Sequence, residues 1–456
     1  DFFPPSPIIR RPLLTVCLGL IASFLVSSER SEANAAEPRR PPNIVLILAD
    51  DEGYGELGCQ GNPEIPTPHI DSIAKNGIRF TSGYVSAPMC SPSRAGLMTG
   101  RYQTRFGHEF NEDRGGRPFN PRLIGGKFGL PLTENTFADR MKALGYATCA
   151  IGKWHLGYDT EFRPTKRGFD EFYGTLGNTP FFHPKNLVDS RVSSEVQKVD
   201  DHTFYTTHAY AARAVDWIGR NKDRPFFLYL PFNAQHDPLE APQNYLDRFP
   251  TITDAKRKLF AAMMAAKDDA VGQILDKVRE IGQLENTLIF YLSDNGGPTA
   301  LTTSKNNPLR GYKRLTLEGG IRVPFLVQWK GKLPRGKTYD HPIIQLDILP
   351  TAVAAAGARV DPAWKLDGVN LLPYLTGEDT GRPHETLYWR YGEQWAIRRG
   401  DWKLVAALPR SGNSLFNLAQ DIGEANDRWT QEPERAKELR TLWEKWNVGQ
   451  EEPLWK

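Results

Sequence analysis

Two pairs of oxygen-bearing residues, one thiol and a scatter of cations have the types and spacing to do chemistry. Asp50-Asp51 ends the apolar run Asn43–Ala49 (NIVLILA), and Asp294-Asn295 follows a second such run at 288–292. Adjacent carboxylates repel, and if buried together they call for a cation. Asp50, Asp51, Asp294 and Asn295 supply three carboxylates and an amide oxygen, a hard-donor set that suits Ca²⁺ or Mg²⁺ and is poor for Zn²⁺. Taken singly, Asp-Asp reads as a solvated strand end and Asp-Asn-Gly-Gly as a turn.

Cys90 opens the run Cys90-Ser91-Pro92-Ser93-Arg94, just ahead of an expected helix with Pro92 in its first turn. A helix start presents free amide donors, which favour an anionic nucleophile or a bound oxyanion, and Arg94 adds a planar cation. The run reads equally well as a plain Ser/Pro-rich helix start. In extended chain Lys153 and His155 of Gly-Lys-Trp-His-Leu-Gly face the same side, so one could neutralise an oxyanion while the other moves a proton. The alternative is a surface lysine beside a packed histidine. His236 follows another strand as a second acid/base candidate, and Lys313 precedes Glu-Gly-Gly-Ile-Arg-Val-Pro.

These residues need a frame that brings strand ends together. Strand-like runs at 43–49, 146–151, 226–230, 287–292 and 323–329 alternate with helical stretches at 67–76, 133–144, 202–220 and 254–281. The alternation predicts an α/β fold: a large doubly wound mixed, mostly parallel sheet flanked by helices. Ligands of such sheets bind beyond the carboxyl ends of the strands, where the acidic pairs fall. After about residue 342 the pattern changes to a helix at 346–356, short strands at 386–389, 395–398 and 402–405, and a helix around 433–446. This predicts a smaller C-terminal antiparallel sheet plus helix. The division is then 1–35 leader, 36–341 catalytic α/β domain, and 342–456 a segment that completes the core and forms a small α+β subdomain. Residues 100–130 form a long loop with Arg101, Arg105, Arg114, Arg117 and Arg122, and long basic loops are more often functional than idle.

Composition bounds the partners. With 57 Lys+Arg against 54 Asp+Glu, 57 − 54 = +3, the chain is no nucleic-acid coating protein. Arg10-Arg11, an apolar run at 13–26 and Ala33-Asn34-Ala35 have the layout of a secretory signal, with a mature start at Ala36. The run has 14 residues and a span needs about 20, so no stable membrane insertion is expected. The expected location is export, periplasmic or extracellular. Cys59, Cys90 and Cys149 remain, an odd count that leaves Cys59–Cys149 pairing open.

The Cys-x-Pro-x-Arg run, followed by Ala-Gly-Leu-Met-Thr-Gly-Arg, resembles the signature of type I sulfatases in the alkaline phosphatase superfamily. NIVLILADD, GKWHLG, SDNGG and EGGIRVP occur in that family's order, so the similarity covers nearly the whole mature chain. The resemblance implies that Cys90 is oxidised to formylglycine by a formylglycine-generating or anaerobic maturation enzyme, and that its hydrate is the nucleophile. It implies one Ca²⁺ held by Asp50, Asp51, Asp294, Asn295 and the modified Cys90. It also implies that Arg94 stabilises the hydrate while Lys153, His155, His236 and Lys313 surround the sulfate.

The expected activity is hydrolysis of a sulfate ester, with a sulfated carbohydrate favoured over an aryl sulfate. Arg105 and His108 are expected to line the approach for an anionic glycan, although a solvated face is an equal reading. Residues 173–185 could stack on sugars or pack in the core. Two rivals stand beside this: a phosphodiesterase or phosphonate monoester hydrolase of the same superfamily, and a catalytically inactive sulfated-glycan binding protein.

Overall fold

The run Asn43–Ala49 is buried at every position, as a strand covered on both faces must be. In the computed structural model, which describes residues 40–112, 127–407 and 412–455, it is strand β1 near the middle of a large sheet. The chain continues through β2 (Ile78–Phe80), β3 (Gly83–Tyr84), β4 (Ala147–Ile151), β5 (Glu171–Thr175), β6 (Leu187–Asp189) and β7 (Ser193–Gln197). Then come β8 (Phe226–Pro231), β9 (Thr287–Ser293), β10 (Phe325–Trp329), β11 (Lys337–Tyr339) and β12 (Ile343–Ile344). The last four are β13 (Thr386–Tyr391), β14 (Gln394–Arg399), β15 (Trp402–Ala406) and β16 (Ser414–Asn417). The large sheet has the order β11-β2-β10-β9-β1-β8-β4-β5-β6-β7. Its centre, β9-β1-β8-β4-β5, is parallel, while β10 and the outer hairpin β5-β6-β7 are antiparallel, which gives the mixed, mostly parallel sheet expected.

Period-two alternation divides β1 between two cores. Ile44, Leu46 and Leu48 pack with Leu97 and Met98 of the Cys90–Thr99 helix and with residues of the Phe137–Ala143 and Ile348–Ala355 helices. Val45, Ile47 and Ala49 face the opposite layer, built from the Pro68–Lys75, Thr206–Arg220 and Ala255–Glu280 helices. Helices therefore cover both faces. The Phe137–Ala143 helix starts later than its apolar pattern suggests because Thr136 and Asp139 form a reciprocal capping box there.

The C-terminal sheet runs β13-β14-β15-β16, antiparallel throughout, with β16 beyond what the sequence pattern suggested. Ile397, Leu404 and Leu415 pack against Ala436 and Leu439 of the Pro433–Asn447 helix. Leu387, Trp389, Ala396 and Phe416 join the core of the large sheet instead. At that junction Lys403 is wholly buried and pairs with Glu318 at 2.8 Å and Glu424 at 2.9 Å. Residues from Arg40 onward therefore group as one compact unit, in which the segment after 342 supplies both a helix of the main layer and the small sheet.

The expected leader at 1–35 lies outside the described residues. Among the described residues no helix is long and apolar enough to cross a membrane. Cys59, Cys90 and Cys149 are all free, so the Cys59–Cys149 bridge is not formed.

Candidate active site

Register brings the two acidic pairs together. Ala49 is level with Ser293 in the β1–β9 ladder, so Asp50 and Asp294 leave the sheet side by side. Asp294 N–H donates to Ala49 C=O at 3.1 Å, and Gln235 N–H to Asp50 C=O at 2.7 Å, which pins the segment after β8 to the same end. Asp51 holds a left-handed backbone, φ 65°, an uncommon conformation for a non-glycine residue and one that recurs at functional sites. Cys90 is the first residue of a helix buried at every position, and its Sγ lies 3.5 Å from Asp50 Oδ1 and 3.9 Å from Asp51 Oδ1.

Donor atoms of Asp50, Asp51, Cys90 and Asp294 lie within 4.8 Å of one another. Asn295 Nδ2 donates to Asp51 Oδ1 at 2.8 Å and to Gly296 C=O at 3.0 Å, which fixes the amide orientation and leaves its buried Oδ1 with no partner. An orphaned buried oxygen beside three clustered carboxylates fits a hard cation such as Ca²⁺. Burial and the neighbouring Asp50 charge push Asp294 up to about 7, a strain that a cation would relieve.

Each carboxylate also meets a cation of the chain. Arg94 donates from Nε and Nη2 to Asp294 Oδ2 at 2.9 and 2.7 Å, and from Nη1 to Lys153 C=O at 2.7 Å. Lys153 Nζ pairs with Asp50 Oδ2, and Lys313 Nζ with Asp51 Oδ1 at 2.7 Å. Burial works against ionisation of Asp50, but Lys153 and then Arg94 outweigh it and hold the carboxyl well below its usual range. Burial likewise opposes the charge on Lys313, and Asp51 more than restores it, so its pKa is raised. Burial pushes the Cys90 thiol up, so the unmodified side chain is no thiolate nucleophile at neutral pH.

Both site histidines rest neutral. Burial, followed by the charges of Lys153 and Arg94, holds His155 well below the ordinary histidine range. Its Nδ1 has no partner. His236 is lowered by burial and by Lys153 and Lys313. Its Nδ1 lies 2.6 Å from Asp237 C=O, which can only accept, so Nδ1 carries the proton and Nε2 presents a lone pair 3.7 Å from Asp51 Oδ2. Cys90, Arg94, Lys153, His155, His236 and Lys313 thus converge on the acidic cluster.

The expectation for Arg105 and His108 is corrected. Arg105 donates to both oxygens of Asp367, at 2.7 and 2.5 Å, and faces a different cavity. His108 is fully buried, and its Nε2 lies 2.6 Å from Ser91 Oγ, where it braces the start of the Cys90 helix. Spacing cannot reveal such partners, because Asp367 is 262 residues from Arg105. Arg114, Arg117 and Arg122 of the same loop lie outside the described residues. Within 173–185, Phe181 is core, which answers the sugar-or-core alternative at that position.

A supporting group escaped the sequence reading. Lys267 is fully buried, pairs with Glu52 and donates to Gln235 Oε1 at 3.3 Å, and Tyr291 donates to Glu52 at 2.9 Å. Glu52 and Gln235 adjoin Asp51 and His236, so one ammonium ties two site segments together. The sequence signal was a lysine within a long, mostly apolar stretch of the Ala255–Glu280 helix.

A cavity of about 420 Å³ opens over His236 and Lys313. Met89, Asn111, Asn178, Asp237 and Tyr312 are also among its walls.

Residues 42–358 match the family model described as Sulfatase, and residues 311–451 match that of N-sulphoglucosamine sulphohydrolase, C-terminal. N-acetylgalactosamine-6-sulfatase of Canis lupus familiaris is 33% identical over 387 residues, which is 81% of this chain and 72% of that protein. Arylsulfatase A of Homo sapiens is 35% identical over 399 residues, 80% of this chain and 74% of its own length. The crystal structure of Ps i-CgsB in complex with k-i-k-neocarrahexaose superposes with a TM-score of 0.81 at 34% identity, covering 91% of this chain and 95% of the other.

Proposed function

The chain belongs to the sulfatase family of the alkaline phosphatase superfamily, and from that premise we propose that it releases inorganic sulfate from a sulfated carbohydrate, with Cys90 converted to formylglycine and one Ca²⁺ in the acidic cluster. The observation that carries this reading is Cys90 at the start of a buried helix, 3.5 Å from Asp50, with Arg94 bridging to Asp294. Asp50, Asp51, Asp294, Asn295 and the side chain at 90 would hold the cation, which when bound supplies positive charge to the sulfate oxygens. Three carboxylates against Arg94, Lys153 and Lys313 give 3 − 3 = 0 formal charge, so a divalent cation leaves an excess of two positive charges for an anionic ester. The modified side chain supplies a hydroxyl nucleophile and a second hydroxyl through which the sulfate is later expelled.

The chain's own groups divide the remaining work. Arg94 and Lys153 hold negative charge near the nucleophile. Lys313, charged at rest, is the proton donor to the departing alcohol, and His236 places a lone pair beside it. His155, neutral at rest, accepts the proton of the second hydroxyl. The buried position of Cys90 requires the maturation enzyme, whether oxygen-dependent or anaerobic, to act before the fold closes. The carbohydrate reading is supported by relatives named for N-acetylgalactosamine 6-sulfate and by the neocarrahexaose complex. The signal-like pattern at 1–35 supports the reading of export to a periplasmic or extracellular location.

Two measurements test the reading. The tryptic peptide 80–94 from protein made in its natural host should show the Cys90 sulfur replaced by an aldehyde oxygen; an unmodified thiol throughout overturns the nucleophile. Ion chromatography of products from sulfated glycans, with matched phosphate esters alongside, should show sulfate release; preferential phosphate release favours the phosphohydrolase rival.

A further inference from the structure

Arg314 follows Lys313 directly, lines the same cavity and is exposed. Among the described residues its guanidinium makes no ion pair and no hydrogen bond, whereas Arg94 and Lys313 are both committed to site carboxylates. Its backbone is held in the left-handed region at φ 77°, a conformation that suits glycine and that a long side chain adopts only at a cost. The turn is fixed without the side chain: Arg314 N–H donates to Pro88 C=O at 2.8 Å, and Gln394 Nε2 donates to Arg314 C=O at 2.8 Å. Arg314 is thus a pinned residue that lines the cavity over His236 and Lys313 with a planar cation left unpaired among the described residues.

The walls indicate what that cation would meet. Tyr312 and Leu301 are each about half exposed on the same cavity and offer apolar surface to a ring. Among the described wall residues Asp237 is the one carboxylate, and it sits 3.3 Å from His236 Nδ1. An anionic group is therefore repelled at Asp237 and accepted at Arg314, whose fork matches the paired oxygens of a sulfate or carboxylate. We propose that Arg314, with Tyr312 beside it, is a recognition subsite for a second anionic substituent of the glycan, beyond the scissile sulfate. This rests on the sulfated-carbohydrate reading above and narrows it to substrates with at least two anionic groups.

The test is calorimetric binding to the Ca²⁺-loaded Cys90→Ala protein, which has no hydroxyl at position 90 and so neither turns over nor takes up sulfate. The probes are a neocarrabiose with one sulfate, the same sugar with two, and a monosulfated disaccharide with a uronate carboxylate. Tighter binding of the disulfated sugar by about tenfold is expected, consistent with a charge-assisted bidentate contact. Arg314→Gly relaxes the positive φ and so keeps the fold, yet should erase the preference, while Arg314→Lys should keep part of it. The uronate probe tells whether sulfate or carboxylate is the partner. Equal preference in Arg314→Gly and its parent, or no preference in the parent, overturns the subsite. Sulfate release from p-nitrophenyl sulfate by the matured enzyme is measured separately, so failure of the sulfatase reading is distinguishable.

Discussion

At Cys90 the decisive property is burial, which raises the thiol pKa and removes any thiolate route at neutral pH. A serine at that position keeps one hydroxyl but lacks the second that expels the bound sulfate. Cys90→Ser should therefore accept at most one sulfate per chain, read as a single mass adduct; sustained turnover by this variant would contradict the two-hydroxyl logic. The proton donor can be assigned by leaving group. Lys313 is charged at rest and His236 is not, so Lys313→Ala should lower kcat for an alkyl sulfate by roughly 10²–10⁴-fold and much less for p-nitrophenyl sulfate. His236→Ala should show a flatter dependence. The reverse ranking would move the role to His236.

Between elements the structure relies on buried charge. Lys403 on β15 meets Glu318 and Glu424, and Tyr84 donates to Glu318 Oε2 at 2.6 Å. Replacing Lys403 by Met strands Glu424 at the sheet junction, while Glu318 keeps Arg322 at 3.1 Å, and should destabilise the chain by about 3–5 kcal/mol in denaturant unfolding. A loss within ±0.5 kcal/mol would show that the junction is held by apolar contact alone. His384, just before β13, pairs with Asp347 at 2.8 Å ahead of the Ile348–Ala355 helix. Burial opposes its charge, but Asp347 dominates and raises its pKa above the ordinary 6.5. A raised histidine pKa stabilises fully below the unfolded value and loses that contribution as pH rises through the folded one. The stability gap between wild type and His384→Gln should accordingly narrow from pH 6 upward; a gap that widens with pH would refute the pairing as a source of stability.

At the scale of the whole molecule, the C-terminal sheet shares its core with the large sheet, so cooperative unfolding should give one calorimetric transition. The acidic cluster proposed to hold the cation joins the ends of β1 and β9 with the Cys90 helix, elements that carry the centre of the fold. Chelation should therefore abolish activity and also lower the unfolding midpoint. At a cation concentration near 100 times Kd the bound ion contributes about 2.7 kcal/mol. Unchanged thermal unfolding after exhaustive EGTA dialysis would remove the cation from this account.

Elements whose signals are local are legible in the chain before it folds. The apolar run from Ile44 to Ala49 had to be a doubly covered strand, and an acidic pair after it had to lie at a strand end. Cys90 and Arg94 had to share a helix start, because a few residues of spacing fix such relations. What the sequence left open depends on partners brought together from far apart. Arg94 finds Asp294 across 200 residues, and Lys267 finds Glu52 across 215. The same holds for misplaced expectations: the charge of Arg105 is absorbed by Asp367, and His108 is buried against Ser91. Type and spacing state what a side chain can do. Only packing decides which charges neutralise one another and which, like Arg314, are left facing a ligand.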